Sequence, residues 1–160
     1  MTRRVAPRPS HLDEHGAARM VDVSEKPVTL RRAEAEAAVV FSARTGKLVK
    51  EGRLAKGDLA AVVRLAAIQG AKRAHDIIPL CHPLGLDHVA VALSKGMKRW
   101  TIRVSCATTG RTGVEMEAMA GAAVGALALY DMIKGVDRGA AIESVRLLTK
   151  SGGRSGTYRR

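Results

Sequence analysis

The sequence predicts a single α+β domain, a two-layer sandwich in which an antiparallel sheet is packed by two long helices. Three observations carry that prediction. A chain of 160 residues is one domain's length. Two long segments, one opening at Asp58 and one at Thr112, place apolar residues at helical spacing. The runs before, between and after them follow strand patterns, with about four strands, mostly hairpin-linked. The apolar residues make up 46% of the chain but the aromatics only 2%, so Ala, Val and Leu must build a core of closely packed small side chains.

The elements follow in order. Residues 1–19 carry Pro7, Pro9 and scattered arginines without periodicity and read as a flexible tail. His11-Leu12-Asp13-Glu14-His15 within it fits the HxxEH pattern of a zinc helix. That chemistry needs a rigid helix backed by a core, whereas this copy lies between prolines and Gly16, so chance explains it better and no metal site is predicted. From Thr29 to Phe41, Arg32, Glu34 and Glu36 alternate with Ala33, Ala35 and Ala37, a period of two that argues for a strand although Ala and Glu are weak strand formers. A turn over 52–57 leads to Asp58, placed as an N-cap for a helix over about 58–76 that ends before Pro79. Val89–Leu93 and Trp100–Cys106 flank a Gly-containing loop as a hairpin. Thr112-Gly113-Val114-Glu115 has the spacing of a capping box, opening a helix to about Val136. Ala118, Gly121, Ala122 and Gly125 give that helix a stripe of small residues against which a neighbour can approach closely. Ile142–Lys150 reads as the last strand, followed by a basic, Gly/Ser-rich end.

Charge and cysteine content narrow the function. Lys and Arg number 27 against 15 acids, a formal charge of +12, which points to a polyanionic partner. Non-specific single-strand binders add aromatic faces worth about 1–3 kcal/mol per base, and those are scarce here. A small basic nucleic-acid-binding domain is therefore the weaker alternative; it predicts steep loss of affinity with salt. Cys81 and Cys106 form no CxxC pair and no disulfide framework. The longest apolar run, Ala118–Tyr130, has 13 residues, short of the about 20 that span a bilayer, and no signal segment opens the chain. A cytoplasmic protein without membrane contact is expected.

Four places concentrate polar groups that a core does not need. Lys56-Gly57-Asp58 puts a lysine at a helix entrance, either simply solvated or beside a bound anion. In Pro79-Leu80-Cys81-His82-Pro83 two prolines fix a Cys-His pair; adjacent residues of an extended segment point apart, so a ligand hydrogen bond from His82 is favoured over a Cys81 nucleophile. Glu115, Met116 and Glu117 open the long helix, and Asp131 and Lys134 share a face near its far end. That last pair is a surface ion pair worth under about 1 kcal/mol unless a cleft shifts its titration. Lys150-Ser151-Gly152-Gly153-Arg154 lacks the P-loop order but offers glycine amides beside cations.

Taken together with Met20-Val21-Asp22-Val23-Ser24 and Leu129-Tyr130-Asp131-Met132, these motifs occur in one order, and from Met20 to about Gly156 the sequence closely resembles the MoaC family, the cyclic pyranopterin monophosphate synthases of molybdenum cofactor biosynthesis. The resemblance implies a ferredoxin-like fold, a single catalytic domain over 20–156 with a basic end at 157–160, and a hexamer built as a trimer of dimers with each active site at a dimer interface. It implies a small-molecule substrate, the triphosphate of a 3′,8-cyclised dihydroguanosine, rearranged to cyclic pyranopterin monophosphate with release of diphosphate. By similarity the catalytic residues are Asp131, Lys56 and Lys134. Leu80, Cys81, His82, Glu115, Met116 and Glu117 contact the substrate, and Lys72, Lys150 and Arg154 hold phosphate. No cofactor is required, though Mg²⁺ with the triphosphate is compatible. Arg111 and Arg154 stand where lysine is the commoner choice; arginine keeps its charge at neutral pH, so both suit binding rather than proton transfer.

Overall fold

A computed structural model describes residues 11–54 and 57–160. The elements are β1 (Thr29–Val40), α1 (Ala43–Lys50), α2 (Leu59–Lys72), α3 (Ala74–Ile77), β2 (His88–Lys95), β3 (Arg99–Gly110), α4 (Glu115–Ile133), β4 (Ala141–Ser151) and β5 (Tyr158–Arg159). The sheet order is β2-β3-β1-β4-β5, and each neighbouring pair is antiparallel. Setting aside α1, α3 and the two-residue β5, the chain runs β-α-β-β-α-β, the ferredoxin-like plan, with α2 and α4 on the sheet. The predicted α+β sandwich is therefore the observed one. Its connections differ from the expectation: β2 and β3 form the predicted hairpin, but the other core strands are joined through helices.

The alternation read in β1 becomes its two faces. Ala33, Ala35, Ala37 and Val39 are buried under the helices, while Glu34 and Glu36 lie on the opposite face with Arg103, Ser105 and Arg146. Burial alone would raise the Glu36 carboxyl, but hydrogen bonds from Arg146 and Arg103 hold it below the ordinary range. The alanines matter for closeness, because they let α4 settle onto β1.

The small-residue stripe of α4 does what its spacing predicts. A Cβ at Gly121 would stand 2.9 Å from the Ala67 carbonyl oxygen and 3.1 Å from the Ala71 Cβ, and one at Gly125 would stand 3.0 Å from the Ala67 Cβ. Gly70 in turn lies against Ala120 and Val124. Residues early in α2 thus meet residues late in α4, so the two helices run antiparallel and the capped start of α2 lies at the Asp131 end of α4. By length and composition α4 could cross a membrane. Here its inner face, from Ala118 to Ile133, is buried against α2 and the sheet.

Several boundaries correct the expectation. The helix predicted over 58–76 ends at Lys72, breaks at Arg73 and resumes as α3. Asp58 caps it as predicted, accepting from the Ala60 and Ala61 amides at 2.9 and 3.0 Å. The capping box does not form: α4 starts at Glu115 from Val114, with no side-chain cap. Val114 is buried in the core, and the Glu115 carboxylate turns back over Gly113 instead of Thr112. The long helix stops at Ile133 rather than near Val136. Helix α1 was not predicted; Asp137 holds its start, accepting from the Ser42 amide at 2.8 Å and the Thr45 hydroxyl at 2.7 Å. The HxxEH segment forms a turn, not a helix, in which Asp13 accepts from the His15 and Ala17 amides and Leu12 bridges Ala18.

Candidate active site

The loop after α3 and the start of α4 converge. Leu80, Cys81, His82, Glu115 and Met116 line one cavity of about 440 Å³, together with Thr112, Gly113 and the segment carrying Val21, Val23 and Lys26. Glu117 sits just beneath, 3% exposed, where its Oε1 accepts from the Cys81 thiol at 3.5 Å. All six residues predicted to contact substrate in these two motifs are thus brought together.

The titration of this cluster follows from burial. Burial, with the Cys81 thiol too far to compensate, raises the Glu117 carboxyl above the ordinary range. Burial and the Glu117 charge push the Cys81 thiol up to about 11, and Cys106 behind it to about 12. With its titration raised in this way, the Cys81 thiol stands as the hydrogen-bond donor to Glu117. Among the described residues, Glu117 Oε2 is buried without a hydrogen-bond partner. A buried carboxylate oxygen in that state is costly unless a donor reaches it.

His82 is fixed from outside the cluster. Its Nε2 lies 2.7 Å from the Val21 carbonyl oxygen. A carbonyl can only accept, so Nε2 carries a proton and donates it to Val21. The Val21 contact is a feature that residue chemistry did not reveal, because it is made by backbone.

The other predicted groups fall elsewhere. Lys72 is exposed in the last turn of α2, at the same end of the helix pair as α3 and the start of α4. Lys150 pairs in register with Ala33 and lines a second cavity with Glu115 and Met119, and its ammonium contacts the Ser155 hydroxyl. Arg154 is exposed beyond Gly152 and Gly153, whose φ values of 91° and 72° form the turn. Arg31, absent from the predicted set, ties that turn to the Gly110 carbonyl through its Nε at 3.0 Å and packs on Gly153. Lys56 lies outside the described residues. Asp131 and Lys134 are at the opposite end of α4, joined at 2.6 Å and about half exposed. The hydrogen bond and charge of Asp131 raise the Lys134 ammonium above its ordinary value, the opposite of what a neutral proton shuttle needs. Among the described residues, no group of three or more His, Cys, Asp or Glu is placed to hold a metal ion.

The fold is that of a ferredoxin-like α+β protein, and its cavity gathers imidazole, thiol, carboxylate and ammonium groups from two sequence motifs and the segment before β1. Comparison with known proteins makes this specific. The MoaC family profile matches residues 20–153, and the chain belongs to that family. It is 54% identical over 152 residues to cyclic pyranopterin monophosphate synthase 1 of Mycobacterium tuberculosis, covering 94% of this chain and 89% of that protein. It matches cyclic pyranopterin monophosphate synthase 3 of the same organism at 54%, covering 94% and 86%. Cyclic pyranopterin monophosphate synthase of Thermomicrobium roseum is 52% identical over 153 residues, covering 94% and 92%.

Proposed function

We propose that this chain is a cyclic pyranopterin monophosphate synthase, a lyase of molybdenum cofactor biosynthesis that takes the cyclised dihydroguanosine triphosphate to cyclic pyranopterin monophosphate and diphosphate. The observation that carries this reading is the convergence of Leu80–His82 with Glu115–Glu117 on one cavity, in a chain of the MoaC family. In this reading the apolar walls and Met116 hold the ring system, and the unpartnered Glu117 oxygen accepts from ring N–H groups. Opening the cyclised skeleton and closing the pterin ring needs proton transfers, assigned to Lys56, Asp131 and Lys134. A sugar hydroxyl then attacks the α-phosphorus, its proton passes to a base, and diphosphate leaves toward Lys72, Lys150 and Arg154. Mg²⁺ is left to the triphosphate as the substrate's own counter-ion.

The reading also needs two chains. Fifteen residues of α4 separate Met116 from Asp131, which at 1.5 Å each is about 22 Å. Acid/base groups act within about 3 Å of the reacting atoms, so one cavity cannot use both ends of one helix. A two-fold axis near Ala123, laying two α4 helices antiparallel, brings Asp131 and Lys134 of one chain to the Leu80–His82 cavity of the next. Between the two ends α4 carries the apolar Met119, Ala123 and Leu127 on one side, the first two partly buried and the last 57% exposed. Three such dimers make the proposed cytoplasmic hexamer, with residues 20–156 as its catalytic domain.

A single-turnover assay with the cyclised triphosphate tests the function, following diphosphate and the fluorescence of the oxidised pterin. Diphosphate and pterin in equal amounts are expected, and Lys56→Ala should abolish both. No product from authentic substrate would overturn the reading.

A further inference from the structure

Lys56, Asp131 and Lys134 come from separate stretches of the chain, and the proposed proton transfers need them in a fixed relation. We propose that Asp137 is a positioning residue for these groups, its carboxylate clamping the turn that follows Lys134 to the start of α1, the helix that leads to Lys56; the inference rests on the function proposed above.

The end of α4 makes the first argument. Lys134 is its C-cap, and the Lys134 amide donates to the Tyr130 carbonyl at 2.8 Å. The Val136 and Asp137 amides both donate at 2.9 Å to the carbonyl of Ile133, whose side chain is fully buried. The Tyr130 hydroxyl reaches on to the Arg138 carbonyl. Asp137 is thus held tightly to the end of α4, three residues beyond Lys134. A carboxylate there opposes the α4 dipole, whose C-terminal end is negative. Its partners lie across the fold instead.

The start of α1 makes the second. Asp137 Oδ2 accepts from the Ser42 amide at 2.8 Å and from the buried Thr45 hydroxyl at 2.7 Å. These donors, the Ser42 amide first, hold the Asp137 carboxyl down at about 2. Ser42 follows Phe41, whose amide donates to the Lys98 carbonyl at 3.0 Å, so the far anchor is the end of the central strand β1. Helix α1 has no acid in its own first turn, and Asp137 supplies the negative charge that its N-terminus favours. Further along, α1 is pressed onto the β2–β3 loop, where a Cβ at Gly46 would collide with the Met97 carbonyl oxygen. Pinned at both points, α1 fixes where the chain leaves it at Lys50, six residues before Lys56. One carboxylate therefore sets the Lys134 turn against the root of the Lys56 segment.

Single-turnover rates of the full-length chain, with enzyme in saturating excess over the cyclised triphosphate, test the assignment. Under that condition the rate constant does not depend on what fraction of the protein is folded. Asp137→Ala removes both hydrogen bonds, and a misplacement of about 1 Å should lower the rate constant about 10- to 100-fold, with the half-saturating enzyme concentration changed no more than about 3-fold. Asp137→Asn, whose amide oxygen can still accept from both donors, should recover most of the rate. Asp137→Glu keeps the charge but lengthens the arm, and should recover less. Thr45→Val removes one donor and should slow the reaction in the same way, while the Asp137→Ala, Thr45→Val double variant should be no slower than Asp137→Ala alone. An unchanged rate constant in Asp137→Ala overturns the proposal. Better recovery by Glu than by Asn overturns it in favour of a charge effect, and additive losses in the double variant overturn the shared contact. Inactive wild-type protein strikes the proposed function instead, so the two failures are distinguishable.

Discussion

Mixing two inactive variants tests the two-chain site directly. Asp131→Asn removes a group at the far end of α4, and His82→Ala removes one at the cavity that the start of α4 lines at Met116, more than 20 Å from Asp131 by helical rise. Each variant alone should lose about 10²- to 10⁴-fold in rate, the usual contribution of a positioned acid or base. In a mixed two-fold dimer, one site takes both defects and the other takes none. Random mixing at equal amounts makes about half of the dimers mixed, with one intact site in each, so about 25% of wild-type activity should return. The proteins carry different affinity tags, are unfolded and refolded together, and diphosphate release is measured before and after tandem purification. In the proposed hexamer nearly every refolded assembly carries both tags, so the tandem-purified fraction should stay at about one quarter of the wild-type rate. If mixed dimers form, shown by cross-linking of the two differently tagged chains, and activity stays at the sum of the single variants, each site is built within one chain and the two-fold arrangement is wrong.

Two further outcomes follow from packing and burial. Gly121→Leu puts a side chain where even a Cβ stands 2.9 Å from the Ala67 carbonyl oxygen, so α2 and α4 must separate; a loss of about 2–4 kcal/mol in urea unfolding is expected, while Ala123→Leu, on the outer face of α4, should leave monomer stability within about 1 kcal/mol. Glu117→Gln separates stability from activity. Burial raises the Glu117 carboxyl, so the folded chain binds that proton more tightly than the unfolded chain, whose value is 4.5. Wild-type folding therefore carries a cost that is complete above the folded pKa and vanishes as pH falls below the unfolded one. Gln does not titrate and can still accept from Cys81, so the variant should melt higher than wild type at pH 7, with the gap closing below pH 4.5, while turnover falls. A variant that melts lower at pH 7 would show that the carboxylate is stabilised by partners rather than strained.

The layers of the fold were readable because they rest on local periodicity. Ala33 to Ala37 alternate with acids in β1, and a sheet covered on one side by helices imposes that alternation whatever the intrinsic strand preference of Ala and Glu. Gly121 and Gly125 announced a close helix contact because nothing else in a 19-residue helix needs them. Misreadings arose where distant residues decide the local outcome. Helix α1 has eight residues with Gly46 inside it, and its start is held by Asp137, 95 residues beyond Ser42. Thr112 and Glu115 have capping-box spacing, but the core claims Val114 between them, and the entry to α4 follows that burial rather than the hydroxyl.

The candidate site divides in the same way. Leu80–His82 and Glu115–Glu117 are contiguous motifs, and each keeps its members together in any fold that leaves the backbone intact. Their meeting in one cavity depends on α3 turning the chain back after Arg73 onto the start of α4, which periodicity does not specify. Val21 was invisible because a carbonyl has no sequence signature, and Lys26 because one lysine in a chain with 27 basic residues carries no signal until a cavity sets it apart. Asp131 and Lys134 were legible as a pair, while the sequence does not say what faces them. Three residues apart on a helix they must meet, and in one chain that meeting raises the lysine and leaves both exposed. Proton transfer needs the reverse, a lysine lowered by desolvation or by neighbouring cations. In the two-chain arrangement proposed above, the surface that would supply both is the end of a second copy that carries Lys72 and Lys150. Under that proposal, part of the charge excess of +12 belongs to cations at one end of each subunit that would act on an acid and a lysine from the other.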